Sequence, residues 1–188
     1  MRTFIAIAIH ATPTLLELQR FLEVNGNGMA IRYTLPSQYH LTLSFLGETS
    51  QDQMKYLMEA LNNKACSCTQ FTIDLTGLGV FKNHKVAHTL WIGTKPSGAI
   101  ETLHTLINEI IIKQGFTCES KSYSPHLTLG RIKRLSPDNN LDWIVKQFRG
   151  RDFGKVIVDK FIFYESILTD NGPVYKPLQY FNLQQSPV

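Results

Sequence analysis

The sequence lacks any apolar run near the ~20 residues that a membrane-spanning helix requires. Its apolar segment at residues 4–9 is short for the core of a secretion signal and is more typical of a buried first strand. Cysteine is scarce, with only Cys66, Cys68 and Cys118. An odd number of cysteines cannot pair completely, which argues for a reducing compartment. We therefore expect a cytoplasmic protein with no membrane segment.

The sequence also lacks a linker rich in glycine, serine and proline, and it contains no low-complexity segment. Hydrophobic residues make up 43% of the chain and charged residues 18%, a balance that excludes a disordered protein. A length of 188 residues is typical of one domain or of two closely packed lobes. We therefore expect residues 1–188 to form a single domain.

Basic residues are unevenly distributed along the chain. There are 19 lysines and arginines against 15 acidic residues, and residues 121–160 alone contain nine basic residues and four aspartates. A locally basic surface attracts partners that carry phosphate. A solvated surface without a partner explains the same charge equally well.

Hydrophobic periodicity predicts a mixture of strands and helices. The predicted strands are 4–9, 39–46, 71–75, 89–92, 118–121, 126–132 and 156–164, and the predicted helices are 14–24, 50–61, 98–115 and 141–148. Ser50 and Gln53 have the spacing of a capping box, and Gly115 is a suitable helix stop. Because the elements do not alternate with βαβ regularity, the fold class is predicted to be α+β.

One tetrapeptide occurs twice in the chain. The sequence His-Leu-Thr-Leu at 40–43 recurs letter for letter at 126–129, and both copies lie in predicted strands. The simplest interpretation is a pair of similar lobes, related by pseudo-two-fold symmetry, that contribute one copy each.

The repeated tetrapeptide places chemical groups on one face of each strand. Alternation along a strand puts His40 and Thr42 on one face and the two leucines on the other, and the same holds for His126 and Thr128. A neutral imidazole can take a proton from water while an imidazolium gives one to a leaving oxygen. Threonine hydroxyls can donate hydrogen bonds to phosphate oxygens. This arrangement serves phosphodiester chemistry and requires no metal.

Longer segments around these motifs resemble a known family. Residues 40–48 and 124–133 are similar to the paired signature of the 2H phosphoesterase superfamily. The branch they most resemble is the bacterial and archaeal RNA 2′,3′-cyclic phosphodiesterases, also called 2′-5′ RNA ligases. Four further segments fit this branch: 2–7, 77–81, 90–93 and 172–178.

The resemblance implies a bilobal fold with a mostly antiparallel sheet and outer helices in each lobe, and an active-site cleft between the lobes. It implies cofactor-free hydrolysis of RNA 2′,3′-cyclic phosphate ends to 2′-phosphomonoesters. In that family the first histidine is the proton donor and the second the proton acceptor, so His40 is the expected acid and His126 the expected base. Thr42 and Thr128 would hold the phosphate. The expected partner is RNA, with tRNA halves among the candidates, and the expected state is a monomer.

Two further residues are candidates for substrate binding. Arg131 matches a basic position that closes the second motif, and Phe45 is suited to stacking on a base. Strand alternation, however, points Arg131 away from His126 unless the strand bends, and it favours a core position for Phe45.

Other functions remain open at this point. The same chemistry supports 2′-5′ RNA ligation, in which an RNA 5′-hydroxyl replaces water, or hydrolysis of small cyclic or 2′-5′ linked nucleotides. A non-catalytic RNA-binding module using residues 121–160 is the alternative from another class. Structural zinc at Cys66, Cys68, His84 and His88 is disfavoured, because one residue separates the cysteines where about two to four are usual.

Overall fold

The computed structural model describes residues 1–65, 67–117, 122–170 and 172–185. Within these ranges the chain forms nine strands and four α-helices. The strands are β1 (Arg2–Ala8), β2 (Met29–Tyr33), β3 (His40–Glu48), β4 (Phe71–Asn83), β5 (Val86–Thr94), β6 (His126–Leu135), β7 (Asp152–Val158), β8 (Lys160–Thr169) and β9 (Gly172–Asn182). The helices are α1 (Pro13–Asn25), α2 (Gln51–Ala65), α3 (Ala99–Lys113) and α4 (Leu141–Phe148).

The strands form two groups that meet at the motif strands. The first lobe has the order β3-β1-β8-β9 and the second β6-β5-β4-β7, with β2 on the other side of β6. All pairings between these strands are antiparallel. The lobes are joined where β3 meets β6, through the single described pair Leu41–Leu127. The predicted α+β fold with two similar, mostly antiparallel lobes is confirmed.

The chain crosses between the lobes four times, which the repeat did not indicate. Strand β2, which lies between β1 and β3 in sequence, already pairs with β6 of the second lobe. After β3 and α2, strand β4 pairs with β5 and β7 in the second lobe. After β6, α4 and β7, strand β8 returns to pair with β1 in the first lobe, and β9 follows it as an edge strand. Each lobe is therefore built from both halves of the chain.

Local sequence accounts for the ends of the helices. In α2 the backbone N–H of Gln53 donates to Ser50 Oγ at 3.2 Å, and the N–H of Ser50 donates to Gln53 Oε1 at 3.0 Å, which is the predicted capping box. Helix α3 is followed by Gly115 at φ +82°, a left-handed conformation that favours glycine. Helix α4 has the predicted bounds.

Several strands differ from the prediction. Residues 76–83 continue β4 instead of forming a loop, and a two-residue turn at His84 and Lys85 leads into β5. The predicted strand 156–164 is divided between β7 and β8 at Asp159. Strands β2 and β9 are additional to the predicted strands. Strand β9 contains two prolines, which an edge strand tolerates. The predicted strand at 118–121 lies outside the described residues.

The motif leucines anchor both strands in the core. Leu41, Leu43, Leu127 and Leu129 are at most 2% exposed and share one hydrophobic cluster with the apolar faces of the helices. The helices therefore cover the leucine face of the sheet and leave the histidine face open. None of the helices formed by the described residues has the length and apolar character needed to cross a membrane.

Candidate active site

A cleft of about 610 Å³ lies on the histidine face of the two motif strands. His40 and Thr42 line it from β3, and His126 and Thr128 line it from β6. The four residues expected at the site are thus brought together. We call this space the central cleft.

A β-bulge in each motif strand changes which later residue reaches the central cleft. In β3, Ile5 pairs with Ser44 and Ala6 with Thr42, which leaves one extra residue between the two partners. In β6, Leu90 pairs with Gly130 and Trp91 with Thr128, with the same consequence. An extra residue shifts the alternation of the side chains by one position.

The residues five positions after each histidine therefore face the cleft. Phe45 is 60% exposed and lines the central cleft, so the expected core position was wrong. Arg131 also lines the cleft, beside His126 rather than away from it. The two motif strands are equivalent in register but present an aromatic ring in one lobe and a cation in the other.

Both imidazoles are oriented by the same backbone contact. His40 Nδ1 lies 2.7 Å from the carbonyl oxygen of Gln38, and His126 Nδ1 lies 2.8 Å from that of Ser124. Because a carbonyl can only accept, Nδ1 must carry the hydrogen in each ring. Nε2 is then the nitrogen that remains for chemistry, as a base when the ring is neutral and as an acid when it is charged.

Aromatic rings hold each imidazole from the side. His40 packs against Phe4 and edge-on against Tyr175, with centroid distances of 5.3 and 5.0 Å. His126 packs edge-on against Phe81 at 4.7 Å. Sequence analysis did not single out these rings, although Tyr175 and Phe81 both lie in segments that carried the family resemblance. The distance along the sequence from these rings to the motifs does not indicate that they contact the histidines, because the rings lie on other strands.

Burial and charge lower the pKa of both histidines. For His40, loss of solvation lowers the pKa most; the Gln38 carbonyl opposes this effect, and the nearby His126 adds to it. For His126, loss of solvation again dominates, the Ser124 carbonyl opposes it, and the charge of Arg131 lowers the pKa further. Both rings therefore favour the neutral form more than an exposed histidine does.

The central cleft is lined by cations without matching acids. Arg2, Arg32 and Arg131 contribute to its wall, and none of the described residues that line it is an aspartate or glutamate. Arg131 Nη1 donates a 2.6 Å hydrogen bond to Oγ1 of Thr89, which is 1% exposed. Such a wall attracts phosphate.

Charge counting along the chain missed two of these three arginines. The basic segment 121–160 supplies Arg131 to the cleft, but Arg2 and Arg32 come from β1 and β2. The other described basic residues of that segment lie outside the cleft, and Lys155 and Lys160 are paired with Asp74 and Asp159.

The zinc alternative has no support in the described part of the chain. Cys66 lies outside the described residues. Among the residues that are described, no three or more histidine, cysteine, aspartate or glutamate side chains are grouped so that they could hold a metal ion.

A family model for LigT-like phosphoesterases matches this chain twice, at residues 6–91 and 92–175. The chain belongs to the LigT-like phosphoesterase family. Each match contains one copy of the repeated motif, which confirms the resemblance and the two repeated halves.

Two curated relatives align with this LigT-like phosphoesterase over more than nine-tenths of both chains. It is 33% identical over 187 residues to the RNA 2′,3′-cyclic phosphodiesterase of Archaeoglobus fulgidus, covering 96% of this chain and 99% of the relative. It is 31% identical over 180 residues to the RNA 2′,3′-cyclic phosphodiesterase of Thermotoga maritima, covering 95% and 93%.

Solved structures share the fold of this LigT-like phosphoesterase. The structure of TT0787 from Thermus thermophilus superposes with a TM-score of 0.81 at 24% identity and full coverage of both chains. The structure of E. coli LigT complexed with 3′-AMP superposes with a TM-score of 0.74 at 22% identity, covering 98% of each chain.

Proposed function

We propose that this protein is an RNA 2′,3′-cyclic phosphodiesterase, which hydrolyses cyclic phosphate ends to 2′-phosphomonoesters without a metal ion. The observation that carries the proposal is the pair of histidines in one cationic cleft, each with Nδ1 bound to the backbone and Nε2 left for chemistry. Two relatives that align over nearly the whole chain are RNA 2′,3′-cyclic phosphodiesterases, which supports the choice of substrate.

The two imidazoles divide the proton transfers of the reaction. Neutral His126 takes a proton from water at Nε2 as the water oxygen forms a bond to phosphorus. The bond from phosphorus to the ribose 3′ oxygen breaks, and charged His40 gives that oxygen its Nε2 proton. The 2′ oxygen keeps the phosphate, and proton exchange with solvent restores both histidines.

The side chains around the histidines stabilise the charge on phosphate. Thr42 and Thr128 donate hydroxyl hydrogen bonds to the non-bridging oxygens, where negative charge is concentrated in the transition state. Arg131 adds a fixed positive charge beside His126. Phe45 offers an exposed ring at the cleft on which a base can stack.

The cellular setting is part of the proposal. We expect the protein to act in the cytoplasm on RNA ends such as those of tRNA halves. We also expect a monomer, since one chain supplies both histidines and both threonines of the cleft.

The direct test is incubation with a short RNA that ends in a 2′,3′-cyclic phosphate, followed by analysis of the products. Replacing His40 or His126 by alanine should each lower the rate by about 10²–10⁴, the usual contribution of a positioned acid or base. His10→Ala is the control, because His10 is exposed and does not line the central cleft. RNA binding without turnover would instead identify a non-catalytic module.

A modified leaving group tests which histidine is the acid. A substrate with sulfur in place of the 3′ oxygen needs little protonation on departure, so His40→Ala should recover much of its lost rate. His126→Ala should not recover, because water still needs a base. Recovery of His126→Ala alone would reverse the assignment, and a 3′-phosphate product from the natural substrate would show that the ribose binds in the opposite orientation.

A further inference from the structure

Arg32 and Arg131 form an unusual pair across two neighbouring strands. They are direct partners in the β2–β6 ladder, and both line the central cleft. Side chains of direct cross-strand partners share one face of the sheet, with Cβ atoms roughly 4.5–5.5 Å apart. Two arginine side chains thus start from adjacent positions on the same face of the sheet.

The charge of this pair is not balanced by protein carboxylates. The four ion pairs among the described residues involve lysines and the chain's amino group but no arginine. Like charges directly opposite each other destabilise a sheet. An anion bound in the cleft relieves that repulsion. The described residues that line the cleft include no carboxylate that could serve as this anion.

The two arginines occupy different parts of the cleft. Arg131 is anchored to Thr89 and lines the cleft together with His126, so the proposed mechanism puts it beside the reacting phosphate. Arg32 lies one strand further out, against the turn between β8 and β9, where a Cβ on Gly172 would be 3.5 Å from its Cζ. One phosphate at the histidines leaves Arg32 available for a second anion.

Substrate chemistry identifies the second anion. A 2′,3′-cyclic phosphate is the 3′ end of its RNA, so every other phosphate of that strand lies on the 5′ side. We propose that Arg32 forms a second phosphate subsite, which binds the phosphodiester immediately upstream of the cyclic end. The subsite rests on the proposed function and makes the protein prefer RNA chains to nucleoside cyclic phosphates.

Three substrates isolate this contact. They are a nucleoside 2′,3′-cyclic phosphate, a dinucleotide with the same cyclic end, and that dinucleotide with a neutral methylphosphonate linkage. Arg32→Gln should lower kcat/KM about tenfold on the ordinary dinucleotide, as loss of a partly exposed charged hydrogen bond does. On the other two substrates the change should stay below about twofold, because neither carries the upstream charge.

Two variants serve as controls. Arg134→Gln removes the same charge from the same strand pair, but Arg134 does not line the cleft, so its kcat/KM should match that of the wild type on all three substrates. Arg32→Lys keeps the positive charge and should retain most of the preference for the dinucleotide. The salt dependence of log kcat/KM on the dinucleotide should become shallower by about 0.7 in Arg32→Gln, the value for one contact to a single strand.

Each alternative outcome has a separate meaning. An equal loss on all three substrates would overturn the subsite while leaving cyclic phosphodiesterase activity established. A loss in Arg134→Gln as large as in Arg32→Gln would also overturn it, in favour of general surface charge. If the wild-type protein hydrolyses none of the three substrates, the proposed function itself fails and the subsite with it.

Discussion

At the scale of single residues, the two histidines have the same contact on one side of the ring and different surroundings on the other. Each Nδ1 is bound to a backbone carbonyl two residues earlier. Aromatic rings flank both histidines, but His126 is also close to the cation of Arg131, which lowers its pKa. The sequence repeat makes His40 and His126 equivalent, but this difference in charge gives a physical basis for their proposed roles as acid and base.

The lowered pKa values predict an acidic optimum for the free protein. In the proposed mechanism the active form has one neutral and one charged histidine, and it is most populated midway between the two pKa values. Since both pKa values are below the ordinary value of about 6.5, kcat/KM should be highest below that pH. Substrate phosphate favours charged imidazole, so the optimum for kcat should lie higher than that for kcat/KM.

Rate profiles from pH 4 to 9 on the cyclic substrate provide the measurement. Arg131→Gln removes a cation that lowers the pKa of His126, so it should move the kcat/KM optimum to higher pH. A wild-type optimum for kcat/KM above pH 7 would contradict the assignment of these two histidines as the free acid and base.

Thr89 is predicted to position Arg131. Its buried Oγ1 accepts from Arg131 at 2.6 Å and lies 2.7 Å from His88 Nδ1. Thr89→Val keeps the shape but removes this acceptor, so KM should rise by roughly three- to tenfold with a smaller change in kcat. Thr89→Ser keeps the hydroxyl and should behave like the wild type. An unchanged KM in Thr89→Val would show that Arg131 needs no such anchor.

At the scale of elements, paired strands and their bulges decide what the cleft contains. Both motif strands carry an extra residue after the threonine, opposite β1 in one lobe and β5 in the other. Other strands of the sheet then supply the rings that hold the histidines: β1 and β9 for His40 and β4 for His126. Close packing between β4 and β5 is one example, since Gly79 of β4 lies directly under the indole of Trp91.

Gly79→Ala should disturb this packing and the site behind it. A methyl group on Gly79 would overlap the Trp91 ring, which contacts Phe81 and lies next to His126. We expect a loss of about 1–3 kcal/mol in the free energy of unfolding, the usual cost of overpacking, together with a lower rate. Urea denaturation measures the first effect and turnover the second.

Gly150→Ala is the corresponding control. Gly150 is exposed, and a Cβ added there has no neighbour within 4 Å, so stability should change little. A stable and fully active Gly79→Ala protein would show that Trp91 can move without affecting His126.

At the scale of the whole molecule, the two lobes cannot be separated by cutting the chain in half. The first lobe takes β8 and β9 from the C-terminal half, and the second takes β4 from the N-terminal half. Each lobe therefore contains strands that are distant in sequence, and we expect neither half of the chain to fold without the other.

Fragments divided at the exposed turn between His84 and Lys85 test this interleaving. Fragments 1–84 and 85–188 each lack strands of both lobes, so each should be largely unfolded alone by far-UV circular dichroism. Mixed, they should associate, regain the spectrum of the intact protein and recover turnover. Independent folding of either fragment would contradict the description of interleaved lobes.

The sequence by itself determined the elements and groups that depend on local pattern. Helices α1 to α4 follow from apolar spacing and caps, as the reciprocal bonds of Ser50 and Gln53 illustrate. The repeat at 40–43 and 126–129 was enough to predict two lobes and a shared cleft, because alternation along a strand puts histidine and threonine on one face. The histidine and threonine of each motif precede the bulge, which falls at the second leucine, so alternation holds for them.

Only the tertiary structure decided what surrounds those four residues. Alternation predicted the wrong side for Phe45 and Arg131, because a bulge is visible only in the register against β1 or β5. Arg32 could not be connected with Arg131 from the sequence, since 98 residues separate them along the chain and hydrogen bonds between β2 and β6 join them. Local sequence was thus enough to identify the histidines and threonines proposed for the chemistry. The charge and shape of the cleft, in contrast, arise from contacts between distant strands.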